Sequence, residues 1–199
     1  MKVKNSRKII ALILAGIIAV MMFGASPKTF AATSINSQIE EGTTSIVLSE
    51  DVNENVIIPK GKTVVLDLNG KTLTGSLDVL GTLTVKDGGS NGKISGMQVN
   101  VNGGTLTLES GTIEHLTTDS TGCGYGIYAY NGATVNVNGG TINSLDSAIA
   151  SNNTTGFMTA KVAGGTLTAK QGPAIYMPTP ISLEVTGGTL NGGISARMG

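Results

Sequence analysis

Short runs of alternating hydrophobic and polar residues, separated by glycine-rich turns, recur along the chain from about residue 63 onward. In each run two hydrophobic residues lie two positions apart, and a third hydrophobic residue follows after a turn. The six copies are Leu66/Leu68/Leu73, Leu83/Val85/Ile94, Leu106/Leu108/Ile113, Val135/Val137/Ile142, Ala160/Val162/Leu167 and Leu183/Val185/Leu190. A period of two is typical of β-strands with one buried face. The pattern therefore predicts two or three short strands in every copy.

The repetition predicts a solenoid in which each copy forms one coil. Successive copies begin 17, 23, 29, 25 and 23 residues apart, and another hydrophobic position recurs at Ile127, Ile149, Ile175 and Ile194. Equivalent residues stacked from coil to coil would form a continuous core without crossover helices. A β-sandwich is the alternative, but it does not explain one register that persists through six copies. We therefore predict an all-β fold, a single-stranded parallel β-helix of about six coils over residues 63–199.

The segment at residues 32–62 has a different pattern and is predicted to be an N-terminal cap. Ser34 is a suitable N-cap for a short helix that ends before Gly42, and Ile35 and Ile39 would lie on one face of that helix. Strands are expected at residues 45–48 and 55–58. An amphipathic segment of this kind would cover the open end of the solenoid core.

Residues 1–31 have the three-part pattern of a secretory signal peptide. Basic residues precede an apolar run of 15 residues at positions 9–23, and small residues follow at Ala31 and Ala32. An uncleaved anchor would need about 20 apolar residues to span a membrane, so we favour cleavage near Ala31 or Ala32. The sequence thus predicts a secreted or cell-surface, extracellular protein with no stable membrane insertion after signal removal.

The overall charge balance hides an acidic mature chain. The sequence has 13 basic and 13 acidic side chains, but five of the basic ones lie in the first 28 positions. The remaining 8 basic and 13 acidic side chains give a net charge of −5. Because a nucleic-acid partner requires a basic face, we predict no nucleic-acid binding. The single cysteine, Cys123, cannot form an intramolecular disulfide and is predicted to be a small buried residue.

One stretch of the repeat carries a family resemblance. The segment GKTVVLDLNGKTLTG at residues 61–75, followed by repeated Gly-Gly-Thr-Leu units, resembles exported surface proteins of Gram-positive bacteria that belong to the pectate-lyase-like superfamily. The resemblance covers residues 42–199 and implies a right-handed parallel β-helix. It does not identify an activity, because the superfamily includes polysaccharide lyases, glycoside hydrolases, adhesins and inert stalks.

The motifs that contain the catalytic residues of this superfamily are not found in this sequence. Resemblance to pectate lyases implies an arginine beside calcium-binding aspartates, but the one arginine after the signal segment is Arg197. The single histidine, His115, follows Glu114 without an adjacent nucleophile pattern. We interpret it as a surface histidine at a coil corner. We predict no catalytic residue, no metal site and no cofactor.

Stacked threonines at one outward position raise the alternative of an ice-binding face. The position before the first hydrophobic anchor holds Thr82, Thr105, Thr134, Thr159 and Ser182. The next outward position is expected to hold Asp67, Thr84, Thr107, Asn136, Lys161 and Glu184, which is a charged and irregular column. Threonine is also a good strand former, and we therefore favour a structural role for these columns.

The tyrosines are the predicted ligand-binding residues. If Ile127 and Ile175 occupy the same inward site two coils apart, then Tyr128 and Tyr176 point outward in one column, with Ala150 between them. Tyr130 would face the same side. Two coil rises are about 10 Å, which approaches the repeat of two sugar rings in an extended chain. Tyrosine rings offer flat apolar faces and a hydroxyl, which suits stacking on sugars, although covering the strand beneath a loop is an alternative role.

The predicted function is a non-catalytic, adhesin-like binding module for a polysaccharide or a host or cell-wall glycan. A structural stalk and a polysaccharide lyase or hydrolase fragment are the alternatives. The repeat runs through residues 192–196 without a polar capping helix after it. We therefore expect an open strand edge there, which either continues in a longer surface protein or self-associates end to end.

Overall fold

The computed structural model of the chain describes residues 34–151, 158–178 and 181–196. The predicted signal peptide at residues 1–31 lies outside the described residues. The described part is an all-β, right-handed parallel β-solenoid of about six turns. The fold class predicted from the repeat is therefore confirmed.

The first face of the solenoid is a seven-stranded parallel sheet. In this order, its strands are β1 (Ser45–Val47), β4 (Thr63–Asp67), β6 (Thr82–Lys86), β8 (Thr105–Leu108), β11 (Thr134–Val137), β14 (Met158–Val162) and β17 (Ile181–Val185). Each strand comes from a different coil. The chain therefore adds one strand to this face on every turn.

The other two faces form one twelve-stranded sheet that bends around a corner. Two long strands, β5 (Thr72–Val79) and β7 (Lys93–Asn102), run across that corner. The shorter strands are β2 (Val52–Asn53), β3 (Val56–Ile58), β9 (Thr112–His115), β10 (Ile127–Tyr130), β12 (Thr141–Ser144), β13 (Ile149–Ala150), β15 (Thr166–Ala169), β16 (Ile175–Met177), β18 (Thr189–Asn191) and β19 (Ile194–Ala196).

Glycine allows the two long strands to bend. Gly75 of β5 pairs with Gly96 of β7, and their φ angles are +129° and +113°. A Cβ atom on Gly75 would lie 2.4 Å from the carbonyl oxygen of Glu54. Only a residue without a side chain fits this position.

The core is a set of stacked aliphatic columns, and the predicted third column is confirmed. It contains Leu73, Ile94, Ile113, Ile142, Leu167 and Leu190. In the first coil, however, the predicted register was wrong by two residues. Val64 pairs with Leu83 and Leu66 pairs with Val85, so Leu66 is the second anchor of that coil. Val64, Leu66 and Leu68 are all buried, and their even alternation is compatible with either register.

The predicted N-terminal helix is confirmed as α1 (Ile35–Glu40). The Ser34 hydroxyl accepts a hydrogen bond from Ser37 N at 3.0 Å, which is an N-cap. The Glu54 carboxylate accepts two more, from Ile35 N at 2.8 Å and from Asn36 N at 3.0 Å. Ile35 and Ile39 are buried in the core. The helix is therefore joined to the solenoid both by hydrogen bonds at its N-terminus and by its apolar face.

The strands predicted at residues 45–48 and 55–58 exist as β1 and β3, a short unpredicted strand β2 lies between them, and all three continue the solenoid. Strand β1 pairs with β4, and strands β2 and β3 pair with β5. All of these pairings are parallel and in register with the later coils. The repeat architecture thus extends into the segment in front of residue 63.

Candidate functional site

The predicted tyrosine column lies on the part of the twelve-stranded sheet that contains β10, β13, β16 and β19, which we call the third face. Tyr128 pairs with Ala150, and Ala150 pairs with Tyr176, so the predicted register is confirmed. Strand β10 buries Ile127 and Ala129, while Tyr128 and Tyr130 remain partly exposed. Alternation along this one strand therefore places Tyr128 and Tyr130 on the outer side. Ala150 is fully buried, so the surface between Tyr128 and Tyr176 is covered.

Tyr125, which the sequence analysis missed, completes a continuous row of three rings. Tyr125 stacks on Tyr128 with a centroid separation of 5.9 Å and an interplanar angle of 14°. Tyr128 in turn lies 5.3 Å from Tyr130 at an angle of 36°. We call Tyr125, Tyr128 and Tyr130 the tyrosine row. Tyr176, two coils away, is near enough to Tyr125 to interact with it electrostatically.

Tyr125 is placed by the loop at residues 116–126, which connects β9 to β10 in the longest coil. Asp119 organises this loop, because its Oδ1 accepts hydrogen bonds from Thr121 N at 2.7 Å, Thr121 Oγ1 at 2.6 Å and Cys123 N at 3.1 Å. Asp119 N also donates to the Cys123 carbonyl at 2.8 Å. Such side-chain-to-backbone bonds are the usual means by which aspartate fixes a turn.

Two residues outside the loop hold its C-terminal end. The Asp146 carboxylate accepts a hydrogen bond from Gly124 N at 2.6 Å. His115 Nδ1 lies 2.8 Å from the Tyr125 carbonyl oxygen, and because a carbonyl only accepts, Nδ1 carries the proton and donates. His115 is 3% exposed. Its interpretation as a surface histidine was therefore wrong, since its position in β9 alternates with Glu114 and points inward.

A cleft of about 340 Å³ opens beside the tyrosine row. It is lined by Gln98, Asp119, Thr121, Cys123, Tyr125 and Tyr128. Cys123 is partly exposed there, so its prediction as a small buried residue was wrong. The loop conformation brings it to the surface, because its backbone follows the Asp119 turn. The cleft combines flat apolar rings with hydrogen-bonding groups, as small-molecule sites do.

Gln98 lines this cleft and has a buried hydrogen-bond acceptor. Its Oε1 is buried and has no hydrogen-bond partner among the described residues. Its Nε2 donates to Asn100 Oδ1 at 3.0 Å, and Asn100 Nδ2 donates to Asp78 Oδ1 at 2.9 Å.

These two bonds fix the direction of both amides. A carboxylate only accepts, so Asn100 must turn its NH₂ group toward Asp78. The Asn100 oxygen then faces Gln98, which must present its own NH₂ group. Oε1 of Gln98 is consequently the atom left over, and an unpaired buried acceptor is costly unless a donor reaches it.

The electrostatic surroundings of the row are acidic. Burial raises the pKa of the Tyr125 hydroxyl most, and a hydrogen bond with the Cys123 side chain and the charge of Asp146 raise it further. Burial and then the charge of Asp78 raise the pKa of Tyr130. The hydrogen bond from the Thr121 hydroxyl is the largest influence on Asp119 and lowers its pKa, against the opposing effect of burial. At neutral pH the row therefore consists of uncharged phenols beside the ionised carboxylate of Asp119.

Two ion pairs lie on the first face of the solenoid. Lys161 and Glu184, which pair in register, lie 3.5 Å apart and are both exposed. Lys86 lies 3.3 Å from the largely buried Asp67, because the first coil is shifted by two residues relative to the predicted register and Asp67 therefore pairs with Lys86. The same shift places Val65, not Asp67, beside Thr84 in the outward column.

The described residues contain neither a cluster suited to a metal ion nor a helix suited to a membrane span. No three His, Cys, Asp or Glu side chains in residues 34–151, 158–178 and 181–196 come together as a set that could hold a metal ion. Over the same ranges, no helix has both the length and the apolar character that a membrane span requires.

Comparison of the chain with models of protein families, with curated proteins and with solved structures gave no match.

Proposed function

We propose that the protein is a secreted or cell-surface β-solenoid that binds a glycan without cleaving it, and that it is a divergent relative of the pectate-lyase-like β-helices. The observation that carries the proposal is the tyrosine row beside a cleft whose lining includes Gln98, the residue with a buried, unpaired acceptor. Sugar rings have apolar faces that stack on aromatic rings and hydroxyl groups that donate hydrogen bonds. Both groups that such a ligand requires are therefore present in one place.

The packing of the row favours a rigid binding platform. Tyr125 and Tyr128 support each other through their stacked faces, and the loop that carries Tyr125 is held by Asp119, Asp146 and His115. A side chain that is already held in place loses little entropy when a ligand binds. The row also contains Tyr128 and Tyr130, two of the three tyrosines predicted from the sequence.

The test is binding of the secreted protein to a glycan array, followed by calorimetry with the best-bound oligosaccharide. The double substitution Tyr125→Ala and Tyr128→Ala should weaken binding by roughly a hundredfold, if each ring contributes about 1–1.5 kcal/mol. Tyr176→Ala tests separately whether the ligand reaches two coils further.

Val47→Ala is a suitable control, because Val47 is an exposed apolar residue on the first face. It removes apolar surface away from the cleft and should leave binding unchanged. Circular dichroism should be the same for all of these variants. If the double variant binds its glycan as tightly as the wild-type protein does, the tyrosine row is not the site and a structural stalk becomes the better description.

The extracellular location is a separate part of the proposal and has its own test. It is supported by the basic, apolar and small-residue order of positions 1–32. Mass spectrometry of the protein from the culture medium should find a new N-terminus near Ala31 or Ala32. Retention of Met1 in a membrane fraction would refute this location.

A further inference from the structure

The polar groups at the cleft select the charge of the ligand, and this inference rests on the proposed glycan-binding function. We propose that the cleft accepts uncharged sugar residues and excludes acidic ones such as uronates and sialic acids. The argument has three parts, namely the buried acceptor of Gln98, the carboxylates around the row and the absence of a compensating cation in the lining.

Gln98 Oε1 has no hydrogen-bond donor among the described residues, and because it is closed to solvent, we infer that the cleft wall shifts slightly to admit a donor from the ligand. The direction of Oε1 is fixed by the relay through Asn100 to Asp78, so the side chain cannot turn its NH₂ group into the cleft without breaking that relay. A sugar hydroxyl or an N-acetyl N–H can donate to Oε1. A carboxylate at neutral pH has no proton to donate, and two acceptors facing each other repel.

Three carboxylates lie around the tyrosine row. Asp119 lines the cleft, Asp78 is close enough to act on the Tyr130 hydroxyl, and Asp146 acts on the Tyr125 hydroxyl. All three hydrogen bonds that the Asp119 carboxylate accepts go to Oδ1, so Oδ2 has no partner among the described residues. It is a second acceptor for a ligand hydroxyl and a source of repulsion for an anion.

No cation among the described residues offsets these charges at the cleft. Its lining contains neither lysine nor arginine. Lys93, which is on the same strand as Gln98, forms an ion pair with Glu114 at 3.1 Å. The described residues as a whole carry 13 acidic side chains against 7 lysines. Recognition of an anionic glycan normally requires arginine or lysine, and rejection of a wrong partner by like charge is an effective source of specificity.

The experiment compares matched ligands whose main difference is charge. Suitable pairs are oligogalacturonate with its methyl ester, and sialyl-N-acetyllactosamine with the methyl ester of its sialic acid. Calorimetry at low and at high salt should show that the uncharged member of a pair binds at least roughly tenfold more tightly, with a smaller difference at high salt because screening weakens the repulsion.

The variant Thr121→Lys places a cation in the lining and should improve binding of the acidic member by roughly tenfold at low salt. Thr107→Lys is the matched control. It makes the same charge change on the first face, and like Thr121 the native Thr107 hydroxyl forms one hydrogen bond, here with Asn136 at 3.2 Å. The control should leave the selectivity unchanged. Gln98→Met keeps the length of the side chain and removes the acceptor, so it should weaken the uncharged ligand by roughly tenfold.

The outcomes separate this inference from the function on which it rests. Equal or tighter binding of the acidic members, lost in the double tyrosine variant, would overturn the charge selectivity and leave glycan binding at the row intact. Binding of neither member of any pair, together with an empty glycan array, would overturn both. An equal effect of Thr121→Lys and Thr107→Lys would show that net charge, not the cleft, determines the preference.

Discussion

Asp67 and Asp87 brace each other's turns across two successive coils. Asp67 Oδ1 accepts a hydrogen bond from Gly88 N at 2.8 Å, and Asp87 Oδ1 accepts one from Gly70 N at 2.6 Å. Each carboxylate also caps its own turn, Asp67 through Asn69 N at 2.9 Å and Asp87 through Gly92 N at 2.8 Å. The extra residues in the second coil therefore form a structured turn that fastens this coil to the one before it.

Replacing Asp87 by Ala should be strongly destabilising. The substitution leaves the backbone N–H groups of Gly70, Gly89 and Gly92 without their acceptor. Hydrogen bonds to a charged group contribute about 1.5–3 kcal/mol each, and because the losses are not additive, we expect about 3–4 kcal/mol in total from denaturant unfolding. Asp51→Ala is the control, since Asp51 is exposed and its side chain accepts one hydrogen bond among the described residues, from Thr72 N at 2.8 Å, and it should lose about 1 kcal/mol. Equal losses in the two variants would contradict the bracing role.

Acid should weaken the same brace. Burial acts to raise the pKa of Asp67, but the hydrogen bonds from Gly88 and Asn69 and the nearby Lys86 outweigh it and lower the pKa. A carboxyl whose pKa is lower in the folded protein stabilises it above the ordinary aspartate pKa, and this stabilisation disappears as the pH falls through the folded value.

The measurement is the free energy of unfolding between about pH 6 and about pH 2, for the wild-type protein and for Asp67→Asn. The wild-type protein should be the more stable of the two at the upper end. The difference should shrink toward the acidic end, because the wild-type side chain is then also neutral. A difference that stays constant over this range would show that ionisation of Asp67 contributes nothing.

Two glycines at different corners of the solenoid should differ sharply in their tolerance of a side chain. Gly165 and Gly61 have nearly the same backbone, with φ of +79° and +81°. A Cβ on Gly165 would lie 2.7 Å from the Gly139 carbonyl oxygen of the coil below, whereas nothing lies within 4 Å of a Cβ on Gly61. Asparagine tolerates this backbone conformation better than other residues do.

We therefore expect Gly165→Asn to lose about 3 kcal/mol through steric overlap, and Gly61→Asn to lose about 1 kcal/mol or less. Thermal and denaturant unfolding measure both. Similar losses would mean that the backbone conformation, and not the close stacking of coils, is what requires glycine at residue 165.

The repeat and its core follow from the sequence because stacking is periodic. Every coil must place an aliphatic residue on the one beneath it, and this requirement appears in the sequence as a recurring spacing. The hydrophobic spacing is ambiguous where two registers satisfy it equally well. Val64, Leu66 and Leu68 alternate evenly, so the pattern alone does not show which two of them lie over Leu83 and Val85.

The candidate site is less predictable, because it depends on groups that are distant in the sequence. Tyr128, Tyr130 and Tyr176 follow from strand alternation, but Tyr125 lies in a loop without periodicity. Its position is determined by a bond that Asp146 accepts from Gly124 N and by one that His115 donates to the Tyr125 carbonyl. The glycines at 122, 124 and 126 are typical of a tight loop. They contained no information about the direction in which its tyrosine would point.

The end-to-end self-association predicted from the open strand edge remains a prediction. In the last described coil Val185 is 41% exposed and Ile194 is 47% exposed, whereas Ile175, which pairs with Ile194, is fully buried. Light scattering over a range of concentrations should show association, and Ile194→Asp should reduce it because a charge is costly to bury. Ile57→Asp, at a position that is 49% exposed in strand β3 near the other end, tests whether that end takes part. A concentration-independent monomer mass for the wild-type protein would refute the association.

His115 should control the environment of Tyr125 without touching its ring. Its Nδ1 donates to the Tyr125 carbonyl at 2.8 Å from a buried position in β9. His115→Leu removes this donor and leaves a carbonyl unpaired, at a cost of about 1–2 kcal/mol in stability. His115→Asn places an amide N–H near the position of Nδ1 and should restore most of the bond.

Ultraviolet titration of the tyrosines gives a readout that a general loss of stability does not produce. In the wild-type protein burial raises the pKa of Tyr125, Tyr128 and Tyr130 above the ordinary range. If the His115 bond holds the loop over the row, then His115→Leu should return at least one tyrosine toward ordinary titration, and His115→Asn should not. An unchanged titration in a folded His115→Leu variant would show that the Asp119 and Asp146 contacts hold Tyr125 in place by themselves.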